Sequence, residues 1–158
     1  MSITASGLYV ANMIDSFDAS NLNIDLSVAT HRISLISDTH TPNFDTDTSW
    51  NSTNEIAGTG WATPGVLLSA AAAGATSTSP TLTISPAGTM MYDMNDIAVS
   101  GTTLTNAMAA RIYADAIASP TADPLIVLID FVTAFSTQNG TFGIQWAAGG
   151  VFTVDWTP

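Results

Sequence analysis

The chain has 158 residues, 46% of them hydrophobic, and sets 13 acidic side chains against two cations, for a formal charge of -11. That length suits one domain with a sizeable core. The absence of lysine leaves too few cations to neutralise phosphates, which excludes nucleic acid and anionic membranes as direct partners. With no cysteine, disulfides, zinc–thiolate centres and thiol catalysis are excluded too.

The N-terminus MSITASGLYV lacks the basic start of a secretory leader. Within residues 7–17, Leu8, Met13, Ile14 and Phe17 recur near helical spacing behind Ser6, a suitable N-cap, so a short amphipathic helix is predicted. Its apolar stripe either covers one end of a sheet or meets another subunit, and the same four residues are the candidate assembly interface. Leu22, Ile24, Leu26 and Val28 alternate with polar residues and read as extended chain. Residues 1–30 thus form a helix and arm, and residues 31–158 a β-rich body within a single domain.

Arg32–Ser37 reads as a strand. Residues 38–60 are rich in Asp, Thr, Asn, Ser and Gly and read as a long loop, which in a compact domain is functional or mobile. Trp61–Leu68 resumes an extended pattern, and the alanine-rich run 69–79 reads as a second loop or weak edge strand. Strand signals follow at Thr81–Ser85, Thr89–Asp93, Ile97–Val99, Ala107–Ile117, Leu125–Phe131, Thr141–Trp146 and Val151–Trp156. Short strands so punctuated by Gly, Pro, Asn and Asp argue for an all-β sandwich or barrel with one short N-terminal helix. The last two runs, with a turn at 147–150, are predicted to form a β-hairpin with an aromatic face, whose exposed side is a second candidate interface. Leu125–Phe131, almost wholly apolar apart from Asp130, reads as a central strand with apolar contacts on both faces. No apolar run approaches the ~20 residues of a spanning helix.

Asp45, Asp47, Ser49, Asn51 and Thr53 place oxygens at alternate positions, as a calcium loop would. Counted from Asp45, however, the sixth position is Trp50 rather than glycine and the twelfth is Ile56 rather than glutamate, so the EF-hand pattern fails. Asx-turns explain the composition without an ion. His31 and His40 lack a nucleophile elbow and read as surface or turn residues. Arg111 lies in a strand-like run among Asp93, Asp96, Asp115 and Asp130, and reads as a paired structural strut. Trp50, Trp61 and Trp146 either stack sugars or fill the core, the commoner use. No residue set points to catalysis, a cofactor or a metal, and no enzymatic activity is expected.

Three stretches carry a resemblance: His31-Arg32-Ile33-Ser34-Leu35, Thr41-Pro42-Asn43-Phe44, and Asn54-Glu55-Ile56-Ala57-Gly58-Thr59-Gly60-Trp61. With Arg111-Ile112-Tyr113, the Ala118–Asp130 segment and Thr141–Phe152 (TFGIQWAAGGVF), they resemble, in order, small structural proteins of tailed-bacteriophage virions. Ala109 and Ala110 depart from the glycine of that pattern, and the 69–79 run has no counterpart in it. The resemblance implies a virion location after assembly in the host cytoplasm. It implies a capsid decoration protein that binds the major capsid protein as a homo-oligomer, expected to be a trimer. A tail or neck component, or a sugar- or receptor-binding tail-tip module, is the alternative. Copies this acidic repel one another, so assembly through apolar surface is expected to strengthen as salt screens the charge.

Overall fold

A computed structural model describes residues 3–71 and 77–157. The chain folds as β1 (Gly7–Leu8), α1 (Val10–Phe17), β2 (Arg32–Ser37), β3 (Glu55–Ile56), β4 (Val66–Leu67), a 3-10 turn (Leu68–Ala70), β5 (Thr81–Ile84), β6 (Thr89–Asp93), β7 (Ile97–Tyr113), β8 (Leu125–Ile144) and β9 (Phe152–Asp155). The all-β class with one short helix is as the sequence indicated. Residues 72–76, inside the alanine-rich run, lie outside the described residues.

One antiparallel sheet runs β1-β8-β7-β2-β3, with β4 also on β2; a second runs β5-β6-β9. The main core lies between them. Ile33 and Leu35 of β2, Ile112 of β7 and Ile126 of β8 meet Trp61, Leu68 and Tyr92 of β6 there. The larger sheet also buries its other face, where Ile36, Ala109, Tyr113, Leu125 and Leu128 pack with Ile3, Tyr9, Phe44 and Trp50. Burial on both faces explains the near-continuous apolar character of Leu125–Leu128.

Residues 3–30 are part of this body rather than an arm. Gly7 and Leu8 pair with Leu128 and Val127, and Leu22 and Leu26 are buried. Consequently the helix starts later than predicted, at Val10, with Tyr9 in the cap position and no side-chain cap bond. Ser6 is not the cap: its hydroxyl accepts from the Asp130 amide at 2.9 Å.

The predicted C-terminal hairpin does not form. Thr141–Ile144 is the far end of the 20-residue β8, where Phe142 and Ile144 pair with Val99 and Ile97. Across the turn, Phe152–Asp155 crosses to the other sheet and pairs with β6. The turn at 147–150 is present, with the Gly150 amide donating to Ala147 at 2.9 Å, but it joins two sheets. Likewise Ile97–Val99 and the strand-like run from Ala107 are one continuous β7, bulged at several points against β8. Beyond Leu128, β8 has β7 on one side and, among the described residues, no further strand on the other. Its bulges and the positive φ of Val132 and Asn139 kink this edge, as native sheets commonly do to discourage edge pairing.

Candidate functional site

The strands of the smaller sheet are amphipathic with period two. Register places Leu82 and Ile84 of β5, Met90 and Tyr92 of β6, and Phe152 and Val154 of β9 on one face; Thr81, Thr83, Thr153 and Asp155 turn away. At the inner end of the apolar face, Tyr92 is fully buried and packs on Phe152 with ring centroids 5.2 Å apart. At the outer end the strands run past the core beneath them. Ile84 is 81% exposed and Trp156, just beyond β9, is 61% exposed.

Helix α1 stands across from this overhang. Leu8 and Met13 of the predicted stripe pack on the main core, whereas Ile14 and Phe17 are 57% and 78% exposed. The stripe therefore divides: half is cover for the sheet, half is free surface. Between helix and overhang lies a groove of ≈ 480 Å³ whose apolar walls include Val10, Met13, Phe17, Leu82, Val154 and Trp156. A second depression along Leu82, Ile84, Met90 and Trp156 continues it to the end of the sheet. The sequence pointed to both halves of this surface, as a helical stripe and as the exposed side of a hairpin over 142–156; the hairpin does not form, and its second strand joins β6 instead.

No charged residue lines the groove, but the exposed Asp18 and Asp25 each adjoin a lining residue in sequence. Hydrogen bonds from the side chain and backbone of Ser20, Ser27 and Thr157 hold Asp18, Asp25 and Asp155 below the usual carboxylate range. They are ionised at neutral pH. Neither cation offsets them at the surface. Arg32 is paired with Asp115 at 2.8 Å, and Arg111 is 1% exposed.

Arg111 is a strut, but not through the acids nearest in sequence. Asp115 binds Arg32, and the carboxylates of Asp93, Asp96 and Asp130 accept from the main-chain amides of Met94, Trp146 and Val132. The Arg111 Nη2 group instead donates to the Asn51 carbonyl at 2.8 Å, beneath the 38–60 loop. Tyr9, Glu55 and Asp47 are the charged or ionisable groups around it, and burial lowers its pKa against their pull. Burial pushes Glu55 up to about 7, with Arg111 opposing, and pushes the Tyr9 hydroxyl up to about 12. Burial, then Arg111, lowers His40.

The loop is accordingly fastened to the sheet rather than extended as a contact arm. Leu125 donates to Thr48, Trp50 to Asp123 and Val10 to Phe44, all main-chain bonds of 2.8–2.9 Å. The loop oxygens serve as turn acceptors: Asp47 for the Asn43 amide, Asn43 for Asp45, and Asn51 for Thr53. Among the described residues, no group of three or more His, Cys, Asp or Glu is placed to hold a metal ion.

One other sequence reading is corrected. His31 is buried, not a surface residue, with Nε2 donating to the Asp25 carbonyl at 2.7 Å. The three tryptophans take the commoner of their two expected uses and pack in or against the cores at separate places. Trp61 meets Phe142 edge-on in the main core, Trp50 stacks on Tyr113 on the opposite face of the sheet, and Trp146 donates to the Asn95 carbonyl at 3.3 Å.

The motif Asn54–Trp61 has a structural role at each marked position. Asn54 and Gly60 hold positive φ, Glu55 faces Arg111, and a Cβ on Gly58 would collide with the Thr103 carbonyl. No family model matches the chain, and comparisons with curated proteins and solved structures give no match. The phage resemblance therefore rests on its motifs alone.

Proposed function

We propose that the protein is a structural component of a tailed-phage virion, a capsid decoration protein that seats on the outside of the shell and stabilises it. The observation that carries this reading is the uncovered apolar surface of Phe17, Leu82, Ile84 and Trp156. Contiguous apolar surface on a small domain marks an interaction site. The motif order shared with virion proteins supplies the context. Each motif serves the scaffold that holds this surface, as expected of a repeated particle component. The acidic remainder keeps decorated particles apart in solution.

A tail or neck component is the second reading, since it would use the same surface. Purified virions distinguish the two. Decoration requires copies in a fixed ratio to the major capsid protein, as density outside the shell, and shells without the protein that break at lower temperature. A few copies confined to the neck or tail would establish the second reading, and absence from particles would overturn both.

A further inference from the structure

We propose that the groove between α1 and the smaller sheet takes an apolar segment flanked by Lys or Arg from a different protein, rather than a second copy of this chain. The inference rests on reading the groove as the docking face and adds the chemistry of its occupant. Its floor and walls are apolar, the exposed Asp18 and Asp25 directly follow or precede the lining residues Phe17, Ile24 and Leu26 in the chain, and the chain as a whole carries a net charge of -11. An occupant must leave water through the apolar contacts while its flanks meet carboxylates. Cations on those flanks turn a repulsive rim into an attractive one and steer the encounter.

A second copy lacks such cations. The sequence holds only Arg32 and Arg111; one is engaged by Asp115 and the other lies beneath the 38–60 loop. Burial also lowers the pKa of both histidines, so neither provides an imidazolium near pH 7. Two copies meeting groove to groove would oppose acidic rims with nothing between them, on a chain of net charge -11. Homotypic contact through this groove is thereby disfavoured, and the trimer expected from the sequence would need another face.

The two occupants respond oppositely to salt, which gives the test. Three labelled synthetic peptides of about a dozen residues are titrated against the full chain by fluorescence anisotropy. One has an apolar core with lysine flanks, one the same core with glutamate flanks, and one a serine core with lysine flanks. The expected result is that the first binds at least about tenfold tighter than either other, a difference of ~1.4 kcal/mol, and weakens as salt rises. Phe17→Asp should reduce that binding by more than about tenfold, and Leu82→Asp, on the opposite wall, provides the same test if the first variant does not fold. Equal binding of the glutamate-flanked peptide, or no effect of either folded variant, would overturn the proposal. So would salt-promoted self-association, in sedimentation, that either variant abolishes. Virion fractionation bears on the particle role separately, so a negative peptide result leaves that role standing.

Discussion

Arg111 and Asn51, 60 residues apart in sequence, are joined by a 2.8 Å hydrogen bond from the guanidinium to a main-chain oxygen. The contact ties the C-terminal end of β7 to the 38–60 loop. A buried cation thereby gives the polar loop one fixed point of attachment, its Nη2 group holding the Asn51 carbonyl.

Removing that donor should loosen the loop. Arg111→Ala is expected to destabilise the protein by roughly 1.5–3 kcal/mol, the range for a hydrogen bond to a charged group, with further loss from the vacated packing. Arg111→Met keeps most of the volume and should cost less. Urea denaturation measures both, and hydrogen exchange should show the Leu125 and Trp50 amides opening first. Unchanged exchange in the Ala variant would show that the loop holds without the strut.

Glu55 imposes a pH dependence of definite sign. Its folded pKa is raised from 4.5 to about 7, so the folded state holds a proton that the unfolded chain has released. The associated stability is fully present below pH 4.5, falls as pH rises through about 7, and is then lost. Glu55→Gln should flatten this slope, most visibly when midpoints at pH 5 and pH 8 are compared. Tyr9, His40, Asp47 and Arg111 also face this region, and the substitution leaves them in place. An identical slope in the two proteins would assign the dependence elsewhere.

Gly58→Ala should destabilise by about 1–3 kcal/mol through overpacking, because the new methyl group meets the main-chain oxygen of Thr103. Ala57→Gly, one residue away on an exposed position, provides a control for mere backbone loosening. Thermal unfolding of both variants separates the two effects.

The extent to which this molecule is legible in its sequence follows burial. Arg32–Ser37 and Thr89–Asp93 were readable to the residue because apolar and polar positions mark their faces. The middle of β8 was not. Thr133–Gly140 is mostly exposed, so it pairs with β7 through its backbone while its side chains resemble those of a loop. Partner choice was also illegible: Phe152, Val154 and Trp156 announce a strand, but nothing in their spacing tells β6 from β8. Arg111 was readable as a strut, whereas its partner is a backbone oxygen that no side chain advertises. Of the docking surface, Leu8, Met13 and Phe17 were visible as a helical stripe. The overhang of Ile84 and Trp156 depends on where the underlying core ends.

The oxygen-rich loop should be indifferent to calcium. Its carboxylates and amides already accept main-chain amides in turns. EDTA is expected to leave the melting temperature unchanged. A midpoint that climbs with free calcium in the form of ligand linkage would reveal a site at Asp45 and Asp47.

Co-sedimentation of the purified protein with shells stripped of it, wild type beside Phe17→Asp, probes the docking role most directly. Phe17 is 78% exposed, so its replacement should change folding stability by no more than about 0.5 kcal/mol. A central residue of an interface contributes far more to binding, on the order of 2 kcal/mol or above. The expected result is saturable binding of the wild type and at least about a tenfold loss for the variant at equal melting temperature. Equal binding of the two, or no binding of the wild type, would contradict shell docking through this surface.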